Sequence, residues 1–109
     1  MSEEKNRNQA DLNGKQRRYL RSLAHHLTPV VIVGREGLSG PVIAGIDDVL
    51  AARELIKIKL GPNCPLAKKE AAEIAARQTG ACLVQLIGKT IILFRENEKL
   101  KPGKRVHLP

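Results

Sequence analysis

Aromatic side chains are almost missing from these 109 residues: Tyr19 and Phe94 stand alone, and there is no tryptophan. Base stacking on aromatic platforms, the mode of many single-strand binders, is therefore excluded as the main means of recognition. Cysteine is nearly as scarce. Cys64 and Cys82 lie far apart with no Cys-x-x-Cys, and together with His25, His26 and His107 they match no zinc spacing. Free thiols in a reducing compartment are expected, with neither metal nor cofactor. Long apolar runs are absent as well. Val30-Val31-Ile32-Val33 and Ile91-Ile92-Leu93-Phe94 fall far short of the ~20 residues that span a bilayer. Residues 1–11, MSEEKNRNQAD, lack the basic-then-apolar pattern of a signal peptide, so a cytoplasmic location is expected. Acid is in short supply too: 11 Asp and Glu face 19 Lys and Arg, a net charge of +8. Such an imbalance points to a polyanionic partner, nucleic acid or an anionic membrane surface, unless the charge serves solubility alone.

What remains is enough chain for one compact domain. Residues 1–11 read as a disordered tail. Asn13 with Gln16 forms a capping-box pattern, and Leu20, Leu23 and Leu27 follow at helical spacing, which predicts a helix over 13–26. Gln16 joins that apolar side, whereas Arg17, Arg18 and Arg21 fall on the outer face with Lys15 at its margin. Thr28-Pro29 ends the helix. The β-branched run Val30–Val33 predicts a buried strand, which feeds directly into Gly34-Arg35-Glu36-Gly37. Ser39 is the expected N-cap of a second helix with Pro41 in its first turn and a stripe of Val42, Ile43, Ile46, Val49 and Leu50.

Residues 55–60 alternate, sending Ile56, Ile58 and Leu60 to one face and Lys57 and Lys59 to a wetter, positive one. Turn residues Gly61-Pro62-Asn63 precede a third helix, Pro65 to Thr79, with Leu66, Ala67, Ala71, Ile74, Ala75 and Gln78 on its stripe and Gly80 as C-cap. Ala81–Ile87 and Thr90–Arg95 then form a hairpin through Gly88-Lys89, a type II′ pattern. The order α-β-α-β-α-β-β predicts an α/β domain: strands 1 and 2 parallel through a helical crossover, the terminal hairpin antiparallel, a mixed four-stranded sheet packed by helices. The last residues, 97–109, are basic with two prolines and no periodicity, and read as a tail.

Catalytic constellations are poor. No serine or cysteine has an activating context, the histidines have no partner motif, and Asp47-Asp48 read as a solvated helix face. A non-enzyme is expected. The loop at 34–37 is neither a P-loop nor a dinucleotide fingerprint, since Gly34-x-x-Gly37-x-x-Gly40 has the wrong spacing for both. Either it is only a tight turn, or its glycines let a nucleic-acid backbone approach closely, as the Gly-x-x-Gly loop of KH domains does.

Several stretches together carry a resemblance: Leu12-x-x-Lys15-Gln16-Arg17, Leu20-Arg21, Ala24-His25, Pro29-Val30-Val31, Gly34-x-x-Gly37-Leu38-Ser39, Glu54 to Lys59, Thr79-Gly80-Ala81, Val84-Gln85-x-Ile87-Gly88-Lys89-Thr90 and Leu93-Phe94-Arg95. In that order they closely resemble the CRM domain in its standalone bacterial form, the YhbY-like RNA-binding proteins, over about residues 12–95, so that 12–96 is taken as the domain. One departure is Phe94, where the family pattern usually has Tyr.

The resemblance implies a fold similar to the C-terminal domain of bacterial translation initiation factor three. It also implies binding of structured ribosomal RNA in precursors of the large subunit, and plant relatives act in intron splicing. Carried over by position, the RNA surface comprises Gly34, Arg35, Glu36 and Gly37, with Lys15, Arg18, Arg21, Lys57 and Lys59 as nearby cations. A different class, a protein-interaction module docking its basic surface on an acidic assembly factor, requires a spare exposed apolar stripe, and none is evident. A small hydrolase or isomerase ranks last. A monomer is expected, because a domain of this kind can bury its own core.

Overall fold

The computed structural model describes residues 12–109, so the expected tail at 1–11 lies outside the described residues. In chain order the elements are α1 (Gly14–Ala24), β1 (Val31–Val33), α2 (Gly40–Arg53), β2 (Leu55–Leu60), α3 (Lys68–Thr79), β3 (Cys82–Ile87) and β4 (Thr90–Phe94), with a 3-10 turn at Pro102–Lys104. The sheet has four strands in the order β1-β2-β4-β3. β1 and β2 are parallel, and β4 runs antiparallel to both of its neighbours. The expected architecture is therefore present.

Local chemistry explains most boundaries. Asn13 and Gln16 form a reciprocal capping box: the Gln16 N–H donates to the Asn13 side chain at 2.8 Å, and the Asn13 N–H donates to the Gln16 side chain at 3.1 Å. Gly80 closes α3 in the left-handed conformation. Gly88 has φ +54° with no positive φ at Lys89, as a type II′ turn requires. Two boundaries move. α1 stops at Ala24, short of Pro29, and α3 begins only at Lys68, because the residues after Pro65 pack against a neighbouring loop. Its buried stripe is Ala71, Ala72, Ala75, Ala76 and Thr79, rotated from the expected one, while Gln78 faces solvent.

Two apolar cores flank the sheet. Against one face, α2 and α3 bury Ile46, Leu50 and the alanine stripe on Ile56, Ile58, Leu60, Ile91 and Leu93. The alanines let α3 approach closely, and each fully buried isoleucine contributes about 1.5–3 kcal/mol. On the other face α1 buries Leu20 and Ala24 against Leu55, Val84, Ile92 and Phe94. Phe94 is itself buried, so the missing hydroxyl is absent from an apolar site.

Two expectations about this second face are corrected. Arg17 does not belong to the outer face of α1: its guanidinium donates to the Leu83 carbonyl at 2.8 Å and lies on β3. Residues 97–109 do not trail as a loose tail, since Val106 and Leu108 pack on the α1-side core. They are held by Glu54, a fully buried residue between α2 and β2 with φ +64°. Its carboxylate accepts the Val106 N–H at 2.6 Å, the Asn97 N–H at 2.7 Å and the Arg105 Nε–H at 3.3 Å. Those charge-assisted bonds offset both burial and a sparsely populated backbone conformation costing about 1–3 kcal/mol.

Candidate nucleic-acid interface

β1 ends at Val33, and Gly34 to Gly37 turn the chain tightly, the Gly37 N–H donating to the Gly34 carbonyl at 3.0 Å. The two glycines serve different ends. Gly37 is buried with φ +64°, and a Cβ there would meet Pro65 and Leu66 at 3.6–3.7 Å, so the turn itself requires it. Gly34 is exposed, has no positive φ, and a Cβ there would meet nothing within 4 Å. The fold does not need glycine at 34, and what that residue provides is uncovered backbone.

A second loop braces the turn from behind. The Gly61 N–H donates to the Val33 carbonyl at 2.8 Å, and a Cβ on Gly61 would lie 3.2 Å from that oxygen. Arg35 and Glu36 project from the braced turn into solvent. Ser39 sits at the N-cap of α2 as expected, yet its side chain makes no capping bond and its hydroxyl is buried without a partner. The turn thus leads straight into the positive end of a helix dipole.

The sheet supplies the neighbouring surface. Ile32 pairs with Lys59, Lys59 with Thr90, and Thr90 with Ile87, so these four form one row across all four strands on the α1 side. α1 does not reach that row. Ile32 is 68% exposed and Ile87 55%, with Lys59 exposed between them. β1 is consequently a half-open edge strand rather than the buried strand its composition predicts. The wet, positive face is real only for this end of the sheet. Its other end lies under α1 and the C-terminal strap.

The nine candidates therefore fall into separate places. Gly34, Arg35, Glu36, Gly37 and Lys59 share one end of β1 and β2. Lys57 lies one sheet row away, half-buried, with its Nζ donating to the Leu27 carbonyl at 2.9 Å just past α1. Lys15 and Arg18 are exposed on the half of α1 whose Arg17 touches β3, the opposite edge of the sheet, about 14 Å across at strand spacing. Arg21, in the last turn, is half-buried. The side chains of Lys15, Arg18, Arg35 and Lys59 have no hydrogen bond or ion pair with another described residue.

Ile32, Ile87 and Thr90 are surface residues that strand alternation alone does not single out, since only the cross-strand register brings them to Lys59. Among the described residues no group of three or more His, Cys, Asp or Glu is placed to hold a metal, and no helix is long and apolar enough to cross a membrane. Asp47 pairs with Arg95, whose guanidinium also donates to the Thr79 carbonyl at 2.7 Å, tying β4 to α2 and α3.

A small α/β module with a braced glycine turn beside a basic half-open sheet face is thus the class defined by fold and surface. The chain belongs to the CRS1 / YhbY (CRM) domain family, whose model matches residues 12–95. It is 45% identical over 98 residues to the "Probable RNA-binding protein YqeI" of Bacillus subtilis, covering 90% of this chain and 99% of that one. A Haemophilus influenzae protein named "RNA-binding protein" is 40% identical over 90 residues, covering 83% of this chain and 91% of that one. The solution structure of SAV1595 from Staphylococcus aureus, described with RNA binding as its suggested role, superposes with a TM-score of 0.73 at 44% identity, covering 90% of this chain and 99% of that one.

Proposed function

We propose that this protein is a non-catalytic RNA-binding protein that docks on structured ribosomal RNA during assembly of the large ribosomal subunit, as a cytoplasmic monomer. The observation that carries the reading is the pairing of uncovered backbone at Gly34 with the unengaged cations Arg35 and Lys59 at one end of the sheet. Membership of a family whose relatives are named RNA-binding proteins supports it. With so few aromatic residues, affinity comes from phosphates and ribose hydroxyls on a shaped surface, which favours folded over unstacked RNA. Contact with about five phosphates gives a slope of log K against log salt of roughly −3.5 to −4.5.

Sedimentation from lysate at two salt concentrations, with sequencing of crosslinked RNA, tests this. Migration with large-subunit precursors at low salt and its loss at high salt is the expected result. A protein that stays at the top of the gradient with no enriched RNA overturns the reading. The exposed Ile32 and Ile87 favour one alternative, an acidic protein partner with apolar contacts. Survival of the complex through RNase treatment would identify that case.

A further inference from the structure

A partly open pocket of about 430 Å³ lies between the end of α1, β2 and the C-terminal strap. Leu23, Leu27, Val30 and Val106 wall it, while Arg53 and Lys57 stand among its lining. Its size lies within the range of about 300–1,000 Å³ usual for small-ligand sites. Leu27 is one of the few large apolar residues left exposed, so among the described residues nothing covers the apolar walls of this concavity. The two cations are differently held. Lys57 is fixed against the wall by its bond to the Leu27 carbonyl, whereas the Arg53 side chain has no hydrogen bond or ion pair with a described residue.

We infer that this pocket receives one unpaired nucleotide of the bound RNA, its base against the aliphatic walls and its phosphate at Arg53 and Lys57. The inference rests on the RNA-binding reading above and deepens it. Charge complementarity selects the occupant: an apolar floor with two cations matches a flat, weakly polar ring carrying an anionic group. Val30 lines the pocket and Gly34 opens the glycine turn, at the two ends of β1 and about 13 Å apart at strand rise. A folded RNA whose backbone lies on the turn therefore places a neighbouring bulged nucleotide at the pocket. Aliphatic walls would give this chain a contact with a base that its lack of aromatic platforms otherwise denies.

The full chain with labelled methyl groups is titrated with adenosine and uridine 5′-monophosphate, and with inorganic phosphate. Saturable nucleotide-induced shifts at Leu23, Leu27, Val30 and Val106, weakened about tenfold by Arg53→Glu and by Leu27→Glu, are expected. Both substitutions sit at exposed positions, so the fold survives them. A parallel measurement compares a perfect RNA hairpin with one carrying a single-nucleotide bulge: the bulge should tighten binding about fivefold, and Arg53→Glu should remove that gain.

Shifts produced equally by phosphate alone would reduce the site to a patch of positive charge and overturn the inference. RNA binding with silent pocket methyls would overturn it too, leaving the RNA-binding reading intact. Nucleotide binding in the pocket without binding of either hairpin would uphold the pocket and overturn the reading on which its biological role rests.

Discussion

The two faces of the sheet each carry an apolar core but are closed to different extents. Behind β2, Ile56, Ile58 and Leu60 meet two helices in a continuous apolar layer, close-packed because α3 presents alanines. In front, Leu55 is covered by α1 while Lys57 and Lys59, on the same side of the same strand, progressively leave that cover. The rear layer is sealed along its whole length by van der Waals contact, with Arg95 tying β4 to α2 and α3 at its margin. The front has a smaller apolar core at one end, reinforced by polar bonds from long side chains: Arg17 to Leu83, Lys57 to Leu27 and Glu54 to the strap. A face covered over only part of its length leaves its other end free for a ligand, and that is where the unengaged Arg35 and Lys59 lie.

Cutting the rear face should cost most. Ile58→Ala, at a fully buried position, is expected to destabilise by about 2–5 kcal/mol in urea unfolding. Ile32→Ala, the same change on the open row, should stay within about 0.5 kcal/mol. If the two variants unfold at equal denaturant, the contrast between the faces is wrong.

Next in size is the latch. Glu54→Ala removes a buried carboxylate from its donors and is expected to cost about 2–3 kcal/mol. The amides of Asn97 and Val106 should lose hydrogen-exchange protection while those of β4 keep theirs. Retained protection at both amides would show that the strap is held without the carboxylate.

Smaller still are changes to the open face, which should move binding without moving stability. Lys59→Ala and Arg35→Ala are each expected to reduce the salt slope of RNA binding by about 1 with an unchanged melting temperature. Gly34→Asp adds a negative charge at a position with open space and ordinary backbone, and should weaken RNA binding while leaving the fold intact. The same change at Gly37 confounds the two effects, because φ there is left-handed.

The subtlest effect concerns Cys82 on β3. Burial pushes its thiol above the ordinary value, and the neighbouring Arg17 guanidinium offsets part of that shift. The neutral thiol is favoured in the folded state, so its contribution to stability is complete below the unfolded value and is lost as pH rises through the folded one. Alkylation near pH 8 should accordingly modify the half-buried Cys64 well before Cys82. Equal rates would mean that the α1 side opens readily.

Much of this was legible in the chain because the signals are local. The capping box at Asn13 and Gln16, the alternation of β2, the glycine turn and the hairpin each depend on residues within a few positions of one another. What escaped depends on long reach. A helical wheel assigns Arg17 to solvent, but a guanidinium is long enough to fold back onto a strand 66 positions away. The strap at 97–109 has no periodicity to announce it, since its order comes from the distant Glu54 carboxylate and from the core that Val106 and Leu108 meet. The candidate site divided along the same line: the loop was readable as a motif, whereas Ile32, Lys59, Thr90 and Ile87 became neighbours only through strand order. Lys15 and Arg18, grouped with the loop by charge alone, proved to lie toward the other edge.

The strand order also constrains when the molecule can form. β4 lies between β2 and β3 yet is the last strand in the chain. During synthesis β1 and β2 can pair, but β3 emerges before the strand that joins it to them, and the donors that satisfy Glu54 emerge later still. Long-range pairing of this kind delays folding until its final partner is available. The domain therefore completes its fold only once the strap has followed β4 out, and no amino-terminal fragment ending before Thr90 can assemble the sheet that presents Lys59.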